Sequence, residues 1–335
     1  MGRLCYQALS RTNRLDLWNA MKTAFLFPGQ GAQKVGMALD LYEAFPAARS
    51  VFDQAEEVSG LALKRLCFKG PEEELNRTDV AQPAIFAVSA AILAVMRDVL
   101  GPARQSALAP AYTAGLSLGE YTAFYAVGGM DLVTAVKLVT RRGQAMQAAA
   151  EARPSGMVGI IGLDETAASE LCRAAGEGQM LTCANFNCPG QIVLSGAIEA
   201  CERAAERAAD FGASGAVPLK VAGAFHSEFM APAADWLAEA MADVAFAAPE
   251  VPVVCNVDGA PTADPDPIRQ KLLSQLVSPV RWQQSMEFLL DEGVEKFYEI
   301  GPGRVLAGLM RRIRRRVDFT SVNSKEAVEK LARAQ

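Results

Sequence analysis

Apolar residues fall along this chain in two alternating rhythms: short saturated runs, and longer stretches with a helical repeat. The run Thr23–Phe27 ends at Pro28-Gly29-Gln30-Gly31, the pattern of a buried strand entering a tight loop. Helical spacing follows over residues 36–45, 47–59 and 82–99, and the last of these is apolar nearly all round, as a central helix is. Residues 111–114 form a short strand that leads to Ser117. Helices are expected over 120–127 and 132–150, the second with Arg141 and Arg142 in its middle.

The rhythm then changes. Strands are predicted at 157–163, at 180–185 and 191–195 across a Cys188-Pro189-Gly190 turn, and at 215–221, with helices at 165–175 and 198–211 between them. This strand-helix-strand-strand-helix-strand order is that of a ferredoxin-like unit, placed at residues 152–218. Strands near 251–256 and at 296–300 alternate with helices again, which implies a mostly parallel sheet in a main domain made of 21–151 and 219–320. The expected class is therefore α/β, a hydrolase-like core with an inserted ferredoxin-like subdomain.

Composition narrows the function classes. Half the residues are hydrophobic (51%) and the formal net charge is -5, an ordinary globular balance that argues against nucleic acid as partner. The seven cysteines are odd in number, scattered and without a CxxC pair, so neither a disulfide framework nor a zinc site is expected, and a reducing compartment fits. The longest apolar stretch, 85–96, is too short to span a bilayer and is bounded by charges. Residues 1–20 are basic and polar and lack the apolar core of a secretory signal. They read as a dispensable extension ahead of Met21, or as a short targeting segment. A cytoplasmic protein follows from the first reading, an organelle stroma or matrix from the second.

The chemistry gathers at a few positions. Gly115-Leu116-Ser117-Leu118-Gly119, between a strand and a helix, has the form of a nucleophile elbow, in which the glycines allow a sharp turn and the serine Oγ stands exposed. The Leu118 N–H, at the helix start, is placed to stabilise an oxyanion. The plainer alternative is a turn that merely needs its glycines. A serine hydroxyl needs a base, and His226, in Gly223-Ala224-Phe225-His226-Ser227, is the only histidine. Gly29-Gln30-Gly31 is not a dinucleotide loop, because Lys34 occupies the third glycine position. Arg142 is open to two readings, a solvated or ion-paired arginine and a fixed cation for an anionic substrate.

Five segments in order carry a resemblance: residues 27–33, 115–122, Arg142-Gly143, 224–227 and 299–303. Together they are similar to the malonyl-CoA:acyl-carrier-protein transacylase family, over about 21–313. The resemblance implies Ser117 as nucleophile, His226 as its base, and a backbone carbonyl at Gln275 to orient the imidazole. It implies an oxyanion hole from the Gln30 and Leu118 amides, and pairing of Arg142 with the malonyl carboxylate. Gln82 would lie near the acyl pocket, and Asn185 and Asn187 on the subdomain face that admits thioester carriers. Many members have histidine immediately before the serine, where this chain has Leu116, which cannot serve as a second base and so strengthens the dependence on His226. Phe225 matches members that take malonyl rather than methylmalonyl groups.

The implied reaction is malonyl transfer from malonyl-CoA to the phosphopantetheine thiol of acyl carrier protein through a malonyl-serine, with no cofactor or metal, in fatty acid synthesis or a polyketide pathway. A chain without ketosynthase or carrier motifs favours the former. A serine thioesterase is the nearest rival, but no acidic triad member stands out between Ser117 and His226. The run Arg311, Arg312, Arg314, Arg315 and Arg316 is either a solvated helix end or a docking patch for an acidic carrier protein.

Overall fold

The computed structural model describes residues 21–333; the expected extension at 1–20 lies outside the described residues. A six-stranded sheet forms the centre. Its strands are β1 (Thr23–Phe27), β2 (Tyr112–Gly115), β7 (Val253–Val254), β8 (Pro261–Thr262), β9 (Lys296–Ile300) and β10 (Asp318–Val322), in the order β10-β9-β1-β2-β7-β8. All neighbours run parallel except the short edge pair β7 and β8. Phe27 pairs with Gly115 and Leu26 with Glu299, so the ends of β1, β2 and β9 emerge together at one edge of the sheet. In open α/β sheets, that carboxyl edge is where ligands bind.

The helix Thr78–Val99 is the axis of the main core, and its residues Ala81, Ala84, Ile85, Val88 and Ile92 are buried. It is one turn longer than its apolar pattern suggested: Pro83 lies inside the helix rather than near its start. By length and composition alone its 22 residues could cross a membrane, longer than the apolar stretch at 85–96, yet the helix is buried inside the protein, as the apolar-all-round pattern predicts. It packs against the helix Leu132–Ala152, and the crossing is close because Gly143 sits at it: a Cβ there would lie 2.8 Å from the Thr78 carbonyl oxygen.

The second sheet holds β3 (Gly156–Ile161), β4 (Leu181–Cys188), β5 (Gln191–Gly196) and β6 (Gly215–Pro218), antiparallel in the order β4-β5-β3-β6. The helices Glu165–Gly176 and Ile198–Arg207 cover it over a small core of its own that includes Val158, Ile160, Leu171, Leu194 and Ala204. This is the ferredoxin-like arrangement. β4 also reaches the main body: the Phe186 amide donates to the Val280 carbonyl at 2.9 Å, and the Val280 amide to the Ala184 carbonyl at 2.8 Å.

Several boundaries differ from the sequence expectation. β4 runs three residues further, because Phe186 and Cys188 alternate inward past the predicted end at 185. The strand expected over 251–256 shrinks to Val253–Val254. The main sheet also continues beyond residue 320. β10 ends at Val322, and the helix Lys325–Arg333 packs back through Val328 and Leu331. β10 is an edge strand with little buried surface, so its sequence carries a weak periodic signal. Glu299, in the 299–303 motif, is a structural residue: its carboxylate accepts from the Leu306 and Ala307 amides at 2.8 and 3.2 Å and fixes the start of the helix Val305–Ile313.

Candidate active site

Ser117 occupies a turn that only a narrow set of neighbours permits. Its φ of 51° and ψ of -104° lie outside the ordinary regions for a residue with a side chain. The chain folds back so tightly that a Cβ on Gly115 would run into the Gly119 backbone, and one on Gly119 into the Phe27 carbonyl. Those contacts account for the glycine spacing, and a Cβ on Gly29 would likewise meet the Leu116 carbonyl. The loop that carries Gln30 therefore lies directly against the elbow. Leu118 opens the helix Leu118–Ala126, so its amide has no acceptor within that helix.

His226 approaches from the other side, also in a left-handed conformation with φ of 57°. Its turn is fastened by serines: the Ala224 amide donates to Ser155 Oγ at 3.0 Å, and Ser195 Oγ donates to the Phe225 carbonyl at 2.7 Å. Ser227 Oγ donates to the Ala224 carbonyl at 2.6 Å. His226 Nε2 lies 2.8 Å from Ser117 Oγ, and Nδ1 lies 2.8 Å from the Gln275 carbonyl oxygen. A carbonyl only accepts, so Nδ1 carries the hydrogen and Nε2 is left to accept the serine proton. Burial and, secondarily, the Arg142 charge push the imidazole down to about 4.

Arg142 is 1% exposed. It donates through Nη1 to Gln82 Oε1 at 2.7 Å, and through Nη2 to Gln275 Oε1 at 2.9 Å and Ser117 Oγ at 3.0 Å. Its guanidinium also lies over the Tyr121 ring, 5.2 Å from the centroid. None of these partners is a carboxylate, and Nε has no hydrogen-bond partner among the described residues. The buried cation is thus held by neutral oxygens and keeps a spare donor.

The sequence matches the acyl transferase domain model over residues 24–334. The malonyl CoA-acyl carrier protein transacylase of Bacillus subtilis (strain 168) is 42% identical over 309 residues, 92% of this chain and 95% of the relative. That of Escherichia coli (strain K12) is 43% identical over 305 residues, 91% of this chain and 97% of the relative. A solved complex of a type II polyketide acyl-carrier protein with its malonyl-transacylase superposes with a TM-score of 0.88 at 41% identity, covering 93% of this chain and 99% of that one. The chain belongs to the acyl transferase domain family.

Within this acyl transferase, Ser117, His226, Arg142, Gln82 and Gln275 form one hydrogen-bonded cluster. Gln30 and Leu118 are placed by their backbones beside the elbow. Phe225 is buried next to His226. Asn185 and Asn187 stand on β4, half-buried and outside the cluster's hydrogen bonds.

Two further residues join this cluster and were given no role in the sequence analysis, Asn256 outside every motif and Glu120 within the 115–122 segment. Asn256 accepts from the Ser117 amide at 2.7 Å and donates to the Gly115 carbonyl at 2.7 Å, clamping both sides of the turn. Glu120, fully buried, accepts from the Asn256 amide at 2.9 Å and from Gln275 Nε2 at 2.7 Å. Burial pushes the Glu120 carboxyl up to about 7, against the pull of those two donors. Asn256 was findable as the polar residue that closes a predicted strand at the sheet's carboxyl edge, and Glu120 as an acid in an apolar helix start.

Because the folded imidazole lies at about 4, below its ordinary 6.5, it stays neutral and able to accept a proton through the mildly acidic range. Inactivation of Ser117 by a neutral fluorophosphonate is therefore expected to hold its rate from neutral pH to about 5 and to fall only below that. An inflection near the ordinary histidine value, in a rate-against-pH series, would overturn the dry environment assigned to His226.

Proposed function

We infer that the protein transfers a malonyl group from malonyl-CoA to the phosphopantetheine thiol of acyl carrier protein and supplies malonyl units to fatty acid synthesis. The observation that carries this reading is Arg142. A serine and a histidine in contact suit any acyl-enzyme, but a buried guanidinium 3.0 Å from the serine Oγ suits an acyl group that ends in a carboxylate. The relatives' names, and the superposable complex with an acyl-carrier protein, support the donor and the acceptor.

In the first half-reaction Ser117 Oγ attacks the thioester carbon while its proton passes to His226 Nε2. The Nδ1–H bond to the Gln275 carbonyl holds the ring and steadies the imidazolium that forms. The oxyanion is met by the amides of Leu118 and Gln30. Collapse of the tetrahedral centre breaks the carbon–sulfur bond, and the leaving CoA thiolate takes the proton back from His226. In the second half the carrier's thiol gives its proton to His226 and attacks the malonyl ester, and Ser117 Oγ leaves and is reprotonated.

Gln82 steadies Arg142 from the side opposite Ser117. Phe225 narrows the space beside the acyl α-carbon, which favours malonyl over methylmalonyl. Asn185 and Asn187 line the face along which the pantetheine arm enters. The free, buried cysteines suit a reducing, cytoplasmic location.

The basic run has a defined place. Arg311 and Arg312 end the helix Val305–Ile313, and with Arg315 and Pro189 of the β4–β5 turn they line one exposed depression. Arg312 also donates to Gln191 Oε1 at 3.0 Å, which ties the two bodies together at that point. Arg316 is exposed beside it. We assign this surface, Arg311, Arg312, Arg315 and Arg316, to docking of an acidic carrier protein.

Intact-mass measurement after mixing with malonyl-CoA should show a malonyl adduct on Ser117 that discharges onto phosphopantetheinylated carrier protein. Loss of the adduct to water alone, with no carrier product, would make the protein a hydrolase. Arg142→Ala should depress malonyl transfer about tenfold or more relative to acetyl transfer, since a charged hydrogen bond is worth about 1.5–3 kcal/mol. Equal losses on the two donors would remove Arg142 from that role. Paired Arg315→Glu and Arg316→Glu substitutions should raise KM for the carrier protein and leave that for malonyl-CoA in place. Unchanged KM for the carrier would leave the cluster as ordinary surface.

A further inference from the structure

We propose that Glu120 is a positioning residue for acyl selection: through the Gln275 carboxamide it aims Arg142 at the acyl group on Ser117. The inference rests on malonyl transfer as the reaction, and the geometry beneath the serine carries it. Glu120 lies in the first turn after the elbow and has no exposed surface. It touches neither Ser117 Oγ nor Arg142 directly. What it holds is the nitrogen of Gln275, which donates to Glu120 Oε2 at 2.7 Å. The same nitrogen faces two more acceptors, the Ser117 carbonyl at 3.1 Å and Asn256 Oδ1 at 3.3 Å. Three acceptors about one end of a primary amide decide its orientation, because only the NH2 end can serve them. The oxygen end must then point the other way, and there it accepts from Arg142 Nη2 at 2.9 Å.

The amide is the side chain this relay needs. A carboxylate below and a guanidinium above are an acceptor and a donor, and a carboxamide has one end for each. A carboxylate in place of Gln275 would neutralise Arg142 directly and cancel the positive charge that the malonyl group requires. With the carboxamide the cation is oriented and kept unpaired. The anchor needs an acceptor oxygen at Oε2, and the Asn256 amide, at 2.9 Å from that oxygen, keeps it in place. Gln275 thus serves twice: its backbone carbonyl orients His226, and its side chain orients Arg142.

The test compares the rates of Ser117 acylation by malonyl-CoA and by acetyl-CoA, read by intact mass, in the full chain and three variants. Formation of a malonyl adduct by the unsubstituted protein tests the reaction itself and is scored separately. Gln275→Met keeps the carbonyl for His226 and deletes the relay. Glu120→Met deletes the anchor, and Glu120→Gln restores one acceptor oxygen. The ratio of malonyl to acetyl rates is expected to fall about tenfold or more in both methionine variants, the size of one charge-assisted hydrogen bond, and to return to within about threefold of the unsubstituted protein in Glu120→Gln. An unchanged ratio in Gln275→Met, or parallel loss with both donors, overturns the relay. Failure of Glu120→Gln to recover the ratio overturns Glu120 as its anchor. If Glu120→Met does not fold, Gln275→Met and Glu120→Gln decide between these outcomes.

Discussion

The structure is organised around a guanidinium removed from water whose hydrogen-bond partners among the described residues are all neutral. Burying an ion costs several kcal/mol even after relaxation, and Arg142 meets that cost only with two glutamine oxygens, a serine hydroxyl and an aromatic face. These partners orient the charge and leave it uncancelled. The imidazole responds to the same field, since His226 is held neutral by burial and by Arg142 together. One cation, with burial, thus biases the imidazole 2.8 Å from Ser117 Oγ toward its neutral form.

Keeping such a charge aimed requires backbone geometry that ordinary residues resist. Ser117 and His226 both sit at positive φ, and strain of this kind costs on the order of 1–3 kcal/mol per residue. Their hydroxyl and imidazole meet because the surrounding chain leaves no alternative. Asn256 clamps the serine turn from both sides, and three serines fasten the histidine turn. The strained pair is held by short, neutral hydrogen bonds that survive in a dry interior.

The parts of the site legible in the sequence were those with a local signature. Ser117 stood between glycines whose spacing describes a sharp turn, and His226 had no competitor. Arg142 was ambiguous on its own, since a helix with apolar surroundings tolerates an arginine for several reasons. Its meaning depends on Gln82 and Gln275, both far from it in sequence: Gln82 meets it where Gly143 lets two helices cross closely, and Gln275 reaches it from the turn after the helix Pro265–Ser274. Glu120 and Asn256 offered only a hint, a polar residue in an apolar setting, because the partners that give them their roles lie on other elements. In the fold, the short strands β8 and β10 at the sheet edges bury too little to imprint a period, whereas the saturated run of β1 was plain.

The stitch between β4 and Val280 has a mechanical consequence. The segment joined to the small sheet by the Phe186 and Val280 amides is continuous with Gln275, whose carbonyl holds the imidazole. The small sheet therefore cannot swing away from the main body without tugging on the strap that aims the base. Val280 follows Gln275 by five residues of backbone, so a shift of the small sheet is transmitted along that segment toward the carbonyl that holds the ring. The small sheet is in this way a brace for the His226 ring as well as a neighbour of the main body.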